Sequence, residues 1–249
     1  MPYNNSQRDG WVAAGYRGDM GSAATGSPPP NDKIRLYHLV PAHHALSNVT
    51  HSRLKISRLS DLNDPFEFMG LNAMHGQVRR LVSEFKSTSD TQTGLLCFSE
   101  DWTSPVMWSH YAAKHQGICL GFDVNRQLVE KVDYEPKRLL PDLAESDELF
   151  GLTETLKSRL RRTKCEEWRY EQEWRMFLSL STAVAEGDLQ FHPFNDDLQL
   201  AEVILGPNCT RPLEDIRALV TRDHPSARTF SARLAWQHFK VVPTENTVP

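Results

Sequence analysis

Short apolar runs alternate with helical patterns along this chain, and that alternation limits its fold more than any single motif does. Periodicity and apolar content predict strands at residues 33–39, 53–59, 94–99, 118–122, 171–180, 201–206 and 239–242. Helices are predicted from 42 to 49, from 104 to about 115, from Ser146 or Asp147 to a basic C-terminal end at 159–164, and from Thr210 onwards. Interspersed strands and helices without a repeat or an internal linker indicate one α+β domain.

Both ends of the chain differ in composition from this middle part. Residues 1–32 are rich in Gly, Ser, Ala, Asn and Pro, and they offer too little apolar surface to offset the entropy lost on ordering. We therefore predict a flexible leader over residues 1–32, a single α+β catalytic-type domain over residues 33–243, and a disordered tail over residues 244–249.

Charge and cysteine content narrow the class of protein. A net charge of −4 gives no overall basic field for non-specific binding of nucleic acid. The four cysteines contain no Cys-x-x-Cys pair, which is typical of reduced thiols in a cytoplasmic protein rather than of a zinc ribbon or a disulfide framework. No run approaches the ~18 apolar residues of a membrane span, so we expect no membrane association.

Familiar catalytic motifs are missing from the sequence. It contains no phosphate-binding Gly-x-x-x-x-Gly-Lys loop, no Gly-x-Gly-x-x-Gly, no Gly-x-Ser-x-Gly elbow and no His-Glu-x-x-His. The histidines have no companion cysteine or carboxylate at convincing ligand spacing, so no metal is expected.

A pair of carboxylates opens the predicted strand at 171–180. In an extended chain, side chains two residues apart project to the same face, so Glu171, Glu173 and Arg175 would line one surface. This spacing suggests a paired acid site on a strand. The alternative is an amphipathic edge strand whose charges are merely solvated.

The predicted helix at 104–115 carries an unusual number of aromatic and polar groups. Ser104 is placed to cap it, Pro105 fits its first position, and Gly117 would stop it. In one interpretation the helix simply packs on the sheet. In the other, Ser99, His110 and Tyr111 lie near a cleft, where a ring stacks on a planar ligand and a hydroxyl or imidazole bonds to it.

Four motifs in order resemble the bacterial family catalogued as domain of unknown function 2971. They are Asn63-Asp64-Pro65-Phe66-Glu67, Cys97-Phe98-Ser99-Glu100, the segment from Met107 to Asp123, and Trp168-x-Tyr170-Glu171-x-Glu173-Trp174-Arg175. The resemblance covers residues 34–206. The family usually begins with Tyr-Lys, where this chain has Tyr37-His38.

A second resemblance is to the ADP-ribosyltransferases, and it implies a split, mixed β-sheet flanked by helices. By that resemblance, NAD is the cofactor-like substrate, and Tyr37, His38, Ser99, His110 and Tyr111 bind it. Cleavage of the nicotinamide–ribose bond passes through an oxocarbenium-like state, which a fixed carboxylate stabilises. The resemblance assigns this role to Glu173, which also holds the ribose 2′-hydroxyl, and assigns orientation or deprotonation of the acceptor to Glu171.

The function implied is transfer of ADP-ribose to a macromolecular acceptor, protein or nucleic acid, by a bacterial toxin or defence effector that has an antitoxin or immunity partner. Two alternatives remain open. One is a Mg²⁺-dependent nuclease or phosphodiesterase with Asp64, Glu67, Glu171 and Glu173 as oxygen ligands. The other is a non-catalytic module that binds a nucleotide or a partner through the aromatic helix.

Overall fold

A computed structural model of the chain describes residues 27–140 and 152–244. The described helices are α1 (Ala42–Thr50), α2 (Gly76–Gln92), α3 (Pro105–Tyr111), α4 (Glu154–Arg162) and α5 (Leu213–Asp223). The described strands are β1 (Lys33–Val40), β2 (Arg53–Lys55), β3 (Thr93–Ser99), β4 (Ile118–Asn125), β5 (Glu130–Lys131), β6 (Asp133–Glu135), β7 (Thr163–Cys165), β8 (Glu173–Ser179), β9 (Val184–Glu186), β10 (Leu189–Pro193), β11 (Leu198–Leu205), β12 (Arg228–Leu234) and β13 (Val241–Pro243).

Eight of these strands form one sheet in the order β13-β12-β11-β4-β1-β3-β8-β5. The pair β11–β12 is parallel and the other neighbours are antiparallel, so the sheet is mixed. Smaller sheets are formed by β2-β10-β9 and by β6-β7. The predicted α+β class, with a mixed sheet flanked by helices, is confirmed.

The large sheet narrows sharply between β1 and β3. Strand β1 pairs with β4 along its whole length, from Lys33 to Val40, but it pairs with β3 only through Tyr37 and Ser99. Strand β3 then pairs with β8 from Thr93 to Ser99. The sheet is therefore split into a five-stranded and a three-stranded part that meet at one residue pair.

Three apolar clusters cover the sheet. The largest joins the strands to α1 and α5, and it includes Leu36, Phe122 and Ile216. A second cluster surrounds α3 and contains Leu39 and Trp108. Since Leu36 and Leu39 project to opposite faces of β1, these two clusters lie on opposite sides of the sheet. The third cluster packs α2 and α4 beside the three-stranded part.

The long central strands are close to the predicted ones, whereas several element ends are not. The helix predicted to about His115 ends at Tyr111, because Ala113, Lys114 and His115 all have positive φ angles, between 47° and 69°. Gly117 is therefore not its stop. A Cβ there would lie 2.3 Å from the carbonyl oxygen of Val40, so the position admits only glycine.

Other predicted boundaries also need correction. The helix expected from Ser146 or Asp147 begins at Glu154, after Thr153, whose hydroxyl accepts the amide N–H of Leu156 at 3.2 Å. Residues 141–151 lie outside the described part, but 152 and 153 are not helical. The strand expected at 53–59 ends at Lys55, and the last strand is Val241–Pro243 instead of 239–242. Within the described ranges, no helix is long and apolar enough to cross a bilayer.

Removal of residues 1–31 is expected to leave the melting temperature within a few degrees of that of the full chain. Most of the predicted leader lies outside the described residues, and β1 begins at Lys33. Asp32 should be kept because its carbonyl accepts the amide of Arg126 at 3.0 Å. Thermal melting of the full chain and of a chain starting at Asp32 makes the comparison. A larger fall would show that the first residues pack on the domain.

Candidate functional site

The carboxylate pair lies where the chain enters β8. Glu171 is the last residue of a 3-10 helix, Glu166–Glu171, and Glu173 is the first residue of the strand. Between them, Gln172 has a left-handed conformation with φ 44°. The prediction that Glu171 belongs to the same strand as Glu173 is therefore wrong, because the turn at Gln172 interrupts the two-residue alternation.

Both carboxylates nevertheless reach the same ammonium group. Lys164, on β7, places its Nζ 2.6 Å from Oε2 of Glu171 and 3.1 Å from Oε2 of Glu173. The same Nζ lies 3.3 Å from Oε1 of Glu67, which belongs to the 63–67 turn. All four side chains are buried. One lysine thus links the carboxylate pair to Glu67, which lies far from the pair in the sequence.

Arg175 is the second cation of this group. Its Nε and Nη2 donate to the two oxygens of Glu173 at 2.7 and 3.0 Å, and Nη2 also donates to Oε1 of Glu67 at 2.7 Å. Its Nη1 donates to the carbonyl of Arg161 at 2.9 Å. Glu173 and Arg175 therefore share one face of β8, as predicted.

The face of β8 that carries Glu173 and Arg175 is buried inside the protein. Glu171 and Glu173 are each 4% exposed and Arg175 is 0% exposed. Strand β8 lies between β3 and β5, so it is not an edge strand. The alternative in which these charges are merely solvated is wrong. We call Glu67, Lys164, Glu171, Glu173 and Arg175 the charge cluster.

The two members of the carboxylate pair have pKa values shifted in opposite directions. Burial opposes ionisation of Glu173, but Arg175 and Lys164 outweigh it and hold the pKa of Glu173 at about 2. For Glu171, burial outweighs the attraction of Lys164, and the negative charge of Glu173 adds to it, so its pKa is raised. Three carboxylates against two cations leave the charge cluster with one net negative charge when all are ionised.

Tyr111 and Ser99 both contact Glu171. The hydroxyl of Tyr111 donates to Oε1 of Glu171 and accepts from Nδ2 of Asn63 at 3.0 Å. Burial and the charge of Glu171 raise the pKa of Tyr111. The buried hydroxyl of Ser99 donates to the carbonyl of Glu171 at 2.7 Å. Two residues predicted to hold NAD thus hold the carboxylate and the turn beside it.

His110 belongs to an aromatic group on the outer side of Glu171. Its exposed ring stacks on that of Tyr170, with centroids 6.0 Å apart and planes at 28°. The ring of Tyr170 in turn lies 6.0 Å from that of Trp168, over which the Nζ of Lys164 sits at 4.9 Å. We call His110, Tyr111, Trp168 and Tyr170 the aromatic surface.

Tyr37 and His38 project to opposite sides of β1. Tyr37 packs in the cluster around α3, where burial and the nearby Glu202 raise its pKa. His38 lies on the other face, with Nδ1 2.9 Å from the carbonyl oxygen of Cys97, and burial lowers its pKa. The structure therefore brings Ser99, His110 and Tyr111 together around Glu171. Tyr37 lies opposite Ser99 on the neighbouring strand and packs in the same apolar cluster as Tyr111, whereas His38 projects to the other face of the sheet.

The sequence places Lys164 in the basic group at the end of a predicted helix, but it does not predict the role of Lys164 in the charge cluster. Lys164 follows a basic run at the end of α4, where cations usually complement the helix dipole, and no local pattern marks it as buried. Its contact with Glu67 spans a large sequence separation, and its contacts with Glu171 and Glu173 cross the 3-10 helix that separates β7 from β8. Asp64 caps the 63–67 turn, since its Oδ1 accepts the amide of Phe66 at 2.9 Å.

The carboxylates considered as Mg²⁺ ligands are arranged around a lysine. Glu67, Glu171 and Glu173 all contact Nζ of Lys164, and Asp64 caps the 63–67 turn. Among the residues that the structure describes, no group of three or more His, Cys, Asp or Glu is placed to hold a metal ion.

Comparison with known proteins adds one finding. No curated protein and no solved structure matches the chain. A family model described as a protein of unknown function (DUF2971) matches residues 107–176, which contain four members of the charge cluster and the whole aromatic surface. Over residues 107–176, the resemblance of this chain to that family of unknown function is confirmed.

Proposed function

We propose that the chain is an ADP-ribosyltransferase-like enzyme, which breaks the nicotinamide–ribose bond of NAD and transfers ADP-ribose to a protein or nucleic acid. The observation that carries this proposal is the pair Glu171 and Glu173. Both carboxylates contact the Nζ of Lys164, and the pKa of Glu171 is raised whereas that of Glu173 is lowered. Paired acids with separated pKa values are typical of sites that need one charged and one proton-exchanging carboxylate.

Glu173 suits the charged role. Its pKa near 2 keeps it ionised at any physiological pH, and Arg175 fixes both of its oxygens. An oxocarbenium-like state carries positive charge on the ribose, and a fixed anion in a protein interior stabilises such charge more than one in water does. The net negative charge of the charge cluster also stabilises positive charge on the ribose.

Glu171 suits the proton-exchanging role. Its raised pKa brings it closer to neutral pH, where a general base works best. Tyr111 and Lys164 each contact one of its oxygens, so its orientation is fixed. The aromatic surface beside it offers rings on which a nicotinamide or another planar group could stack.

The biological part of the proposal is a cytoplasmic toxin or phage-defence effector, since modification of an essential macromolecule would stop growth. An antitoxin or immunity protein would then be its partner. Expression in a bacterial host that lacks this partner, with growth followed on induction, checks this part. Normal growth despite active enzyme would contradict it.

The direct test is incubation of the purified protein with NAD, followed by chromatography for nicotinamide. We expect release of nicotinamide that EDTA does not abolish. Nucleic-acid cleavage that EDTA does abolish, without nicotinamide release, would support the nuclease instead. Saturable NAD binding without turnover would support the non-catalytic module.

Replacement Glu171→Gln is expected to spare NAD hydrolysis and to lower transfer to the acceptor by a factor of about 10²–10⁴, as for loss of a general base. In the parent, the transfer rate should rise with pH through the raised pKa of Glu171, because the base must be deprotonated, and this rise should vanish in the variant. Acceptor labelling and nicotinamide release are measured together from pH 4 to 8. Equal loss of both activities would contradict the assignment.

A further inference from the structure

A cavity of about 160 Å³ lies beside the charge cluster, and its wall includes Lys164. The wall also includes Phe66 from the 63–67 turn, Glu135 at the end of β6, and Lys137 and Arg138 from the segment that follows β6. Phe66, unlike Glu67 of the same turn, has no role in the proposed carboxylate chemistry.

The charge on the cavity wall favours an anion. Lys137 and Arg138 contribute two cations, against one carboxylate from Glu135, while Lys164 is already paired with three carboxylates of the charge cluster. Among the described residues, no carboxylate forms an ion pair with Lys137 or Arg138, and both side chains are exposed. Within the described part of the chain, neither side chain has to give up a carboxylate partner before it binds a ligand.

Arg138 is already held in position by the 63–67 turn. Its guanidinium lies 5.1 Å from the ring centre of Phe66. Asp64 caps the amide of Phe66, and the backbone amide of Leu139 donates to Gly70 at 2.7 Å. The turn and the segment carrying Arg138 are therefore tied together, and less side-chain entropy is lost when the guanidinium binds an anion.

We propose that this cavity is an anion subsite that takes the diphosphate group of a nucleotide. The assignment rests on the proposed function, since NAD carries such a group. Guanidinium and ammonium groups are the usual partners of phosphate oxygens, with arginine able to bind two oxygens at once. The 63–67 turn then has two roles, with Phe66 positioning Arg138 and Glu67 bonding to Lys164 and Arg175.

The size and place of the cavity fit this ligand. Pockets for whole drug-sized ligands measure roughly 300–1,000 Å³, so a cavity of about 160 Å³ takes a fragment such as a diphosphate. A ligand seated there lies against Lys164, whose Nζ contacts both Glu171 and Glu173. Binding in the cavity and chemistry at the carboxylates would thus share one lysine.

Titration calorimetry with ADP and, separately, with inorganic pyrophosphate tests this subsite without any need for turnover. The full chain is compared with the double variant Lys137→Gln/Arg138→Gln. We expect both ligands to bind the parent and the double variant to bind them at least about tenfold more weakly, as for loss of charged hydrogen bonds. Binding to the parent should also weaken with added salt.

Two further variants test the positioning of Arg138 and control for the change in net charge. Phe66→Leu keeps an apolar side chain but removes the ring under Arg138, so a smaller loss of about two- to fivefold is expected. Arg222→Gln removes an exposed arginine on α5, away from the cavity, and should bind like the parent. If Arg222→Gln weakens binding of ADP and pyrophosphate as much as the double variant does, the loss is a general effect of charge and the subsite is wrong.

The subsite and the proposed function can fail separately. If neither ADP nor pyrophosphate binds at millimolar concentration, or if the double variant binds like the parent, the subsite is wrong even when nicotinamide is released from NAD. If ADP binds with the expected dependence on Lys137 and Arg138 but NAD releases no nicotinamide, the subsite stands and the transferase proposal falls.

Discussion

Replacement of Arg175 by methionine is expected to lower the free energy of unfolding by about 3–5 kcal/mol, the cost of breaking a buried ion pair from one side. Arg175 is 0% exposed and donates to both oxygens of Glu173 and to Glu67. Without it, Lys164 would be the one remaining cation against three buried carboxylates. For a domain of this size the melting temperature should fall by roughly 6–20 °C. Urea and thermal unfolding measure both quantities.

The controls separate loss of charge from loss of geometry. Arg175→Lys keeps the positive charge but cannot bond to both oxygens of Glu173 in the same way, so we expect a smaller loss of stability. Arg222→Gln removes an exposed arginine paired with Asp223 and should change the free energy of unfolding by less than about 1 kcal/mol. If Arg175→Met is as stable as Arg222→Gln, the charge cluster does not stabilise the fold.

How much of the fold could be predicted from the sequence depended on how clearly apolar periodicity and capping residues mark each element. The strands β1, β3, β4 and β11 are long and mostly apolar, so their periodicity located them within a few residues. The whole of α2 was missed. Its buried positions, among them Val78, Val82 and Phe85, follow a helical period, but its first turn has no acidic residue and its N-cap makes no side-chain bond.

The site was located by its sequence motif, but its environment was not. The spacing of Glu173 and Arg175 correctly placed both on one face of a strand. Their burial depends on Glu67, which lies 108 positions from Arg175 along the chain, and on Lys164 from another strand. Contacts of that kind arise only from the tertiary fold, so local periodicity could not distinguish an enclosed charge cluster from a solvated strand.

Replacement Glu173→Gln is expected to lower nicotinamide release by a factor of about 10²–10³, the usual effect of removing one strong electrostatic group from a site. Glutamine keeps the size and hydrogen-bonding capacity of the side chain but has no charge to stabilise an oxocarbenium-like ribose. The parent carboxylate is ionised throughout pH 5–8, because Arg175 and Lys164 hold its pKa near 2. The loss should therefore be the same at every pH in that range.

The stability of this variant must be measured beside its activity. Ionised Glu173 stabilises the fold because its pKa is lower in the folded than in the unfolded chain, so this contribution is present above the unfolded pKa, ~4.3, and is lost as the pH falls towards 2. Glu173→Gln removes that contribution and leaves Arg175 with fewer partners. Rates are therefore expressed per folded molecule, at a temperature below the melting transition of the variant.

A buried glutamate elsewhere on the sheet supplies the matched control. Glu202 is also 4% exposed, and its Oε1 lies 3.1 Å from Nη1 of Arg35. Glu202→Gln breaks a buried ion pair from one side and should therefore lose stability, but it should release nicotinamide at the parental rate per folded molecule. If both variants lose the same activity, the effect comes from the fold and not from charge at the ribose. If neither loses activity, Glu173 takes no part in the reaction and the charge cluster is purely structural.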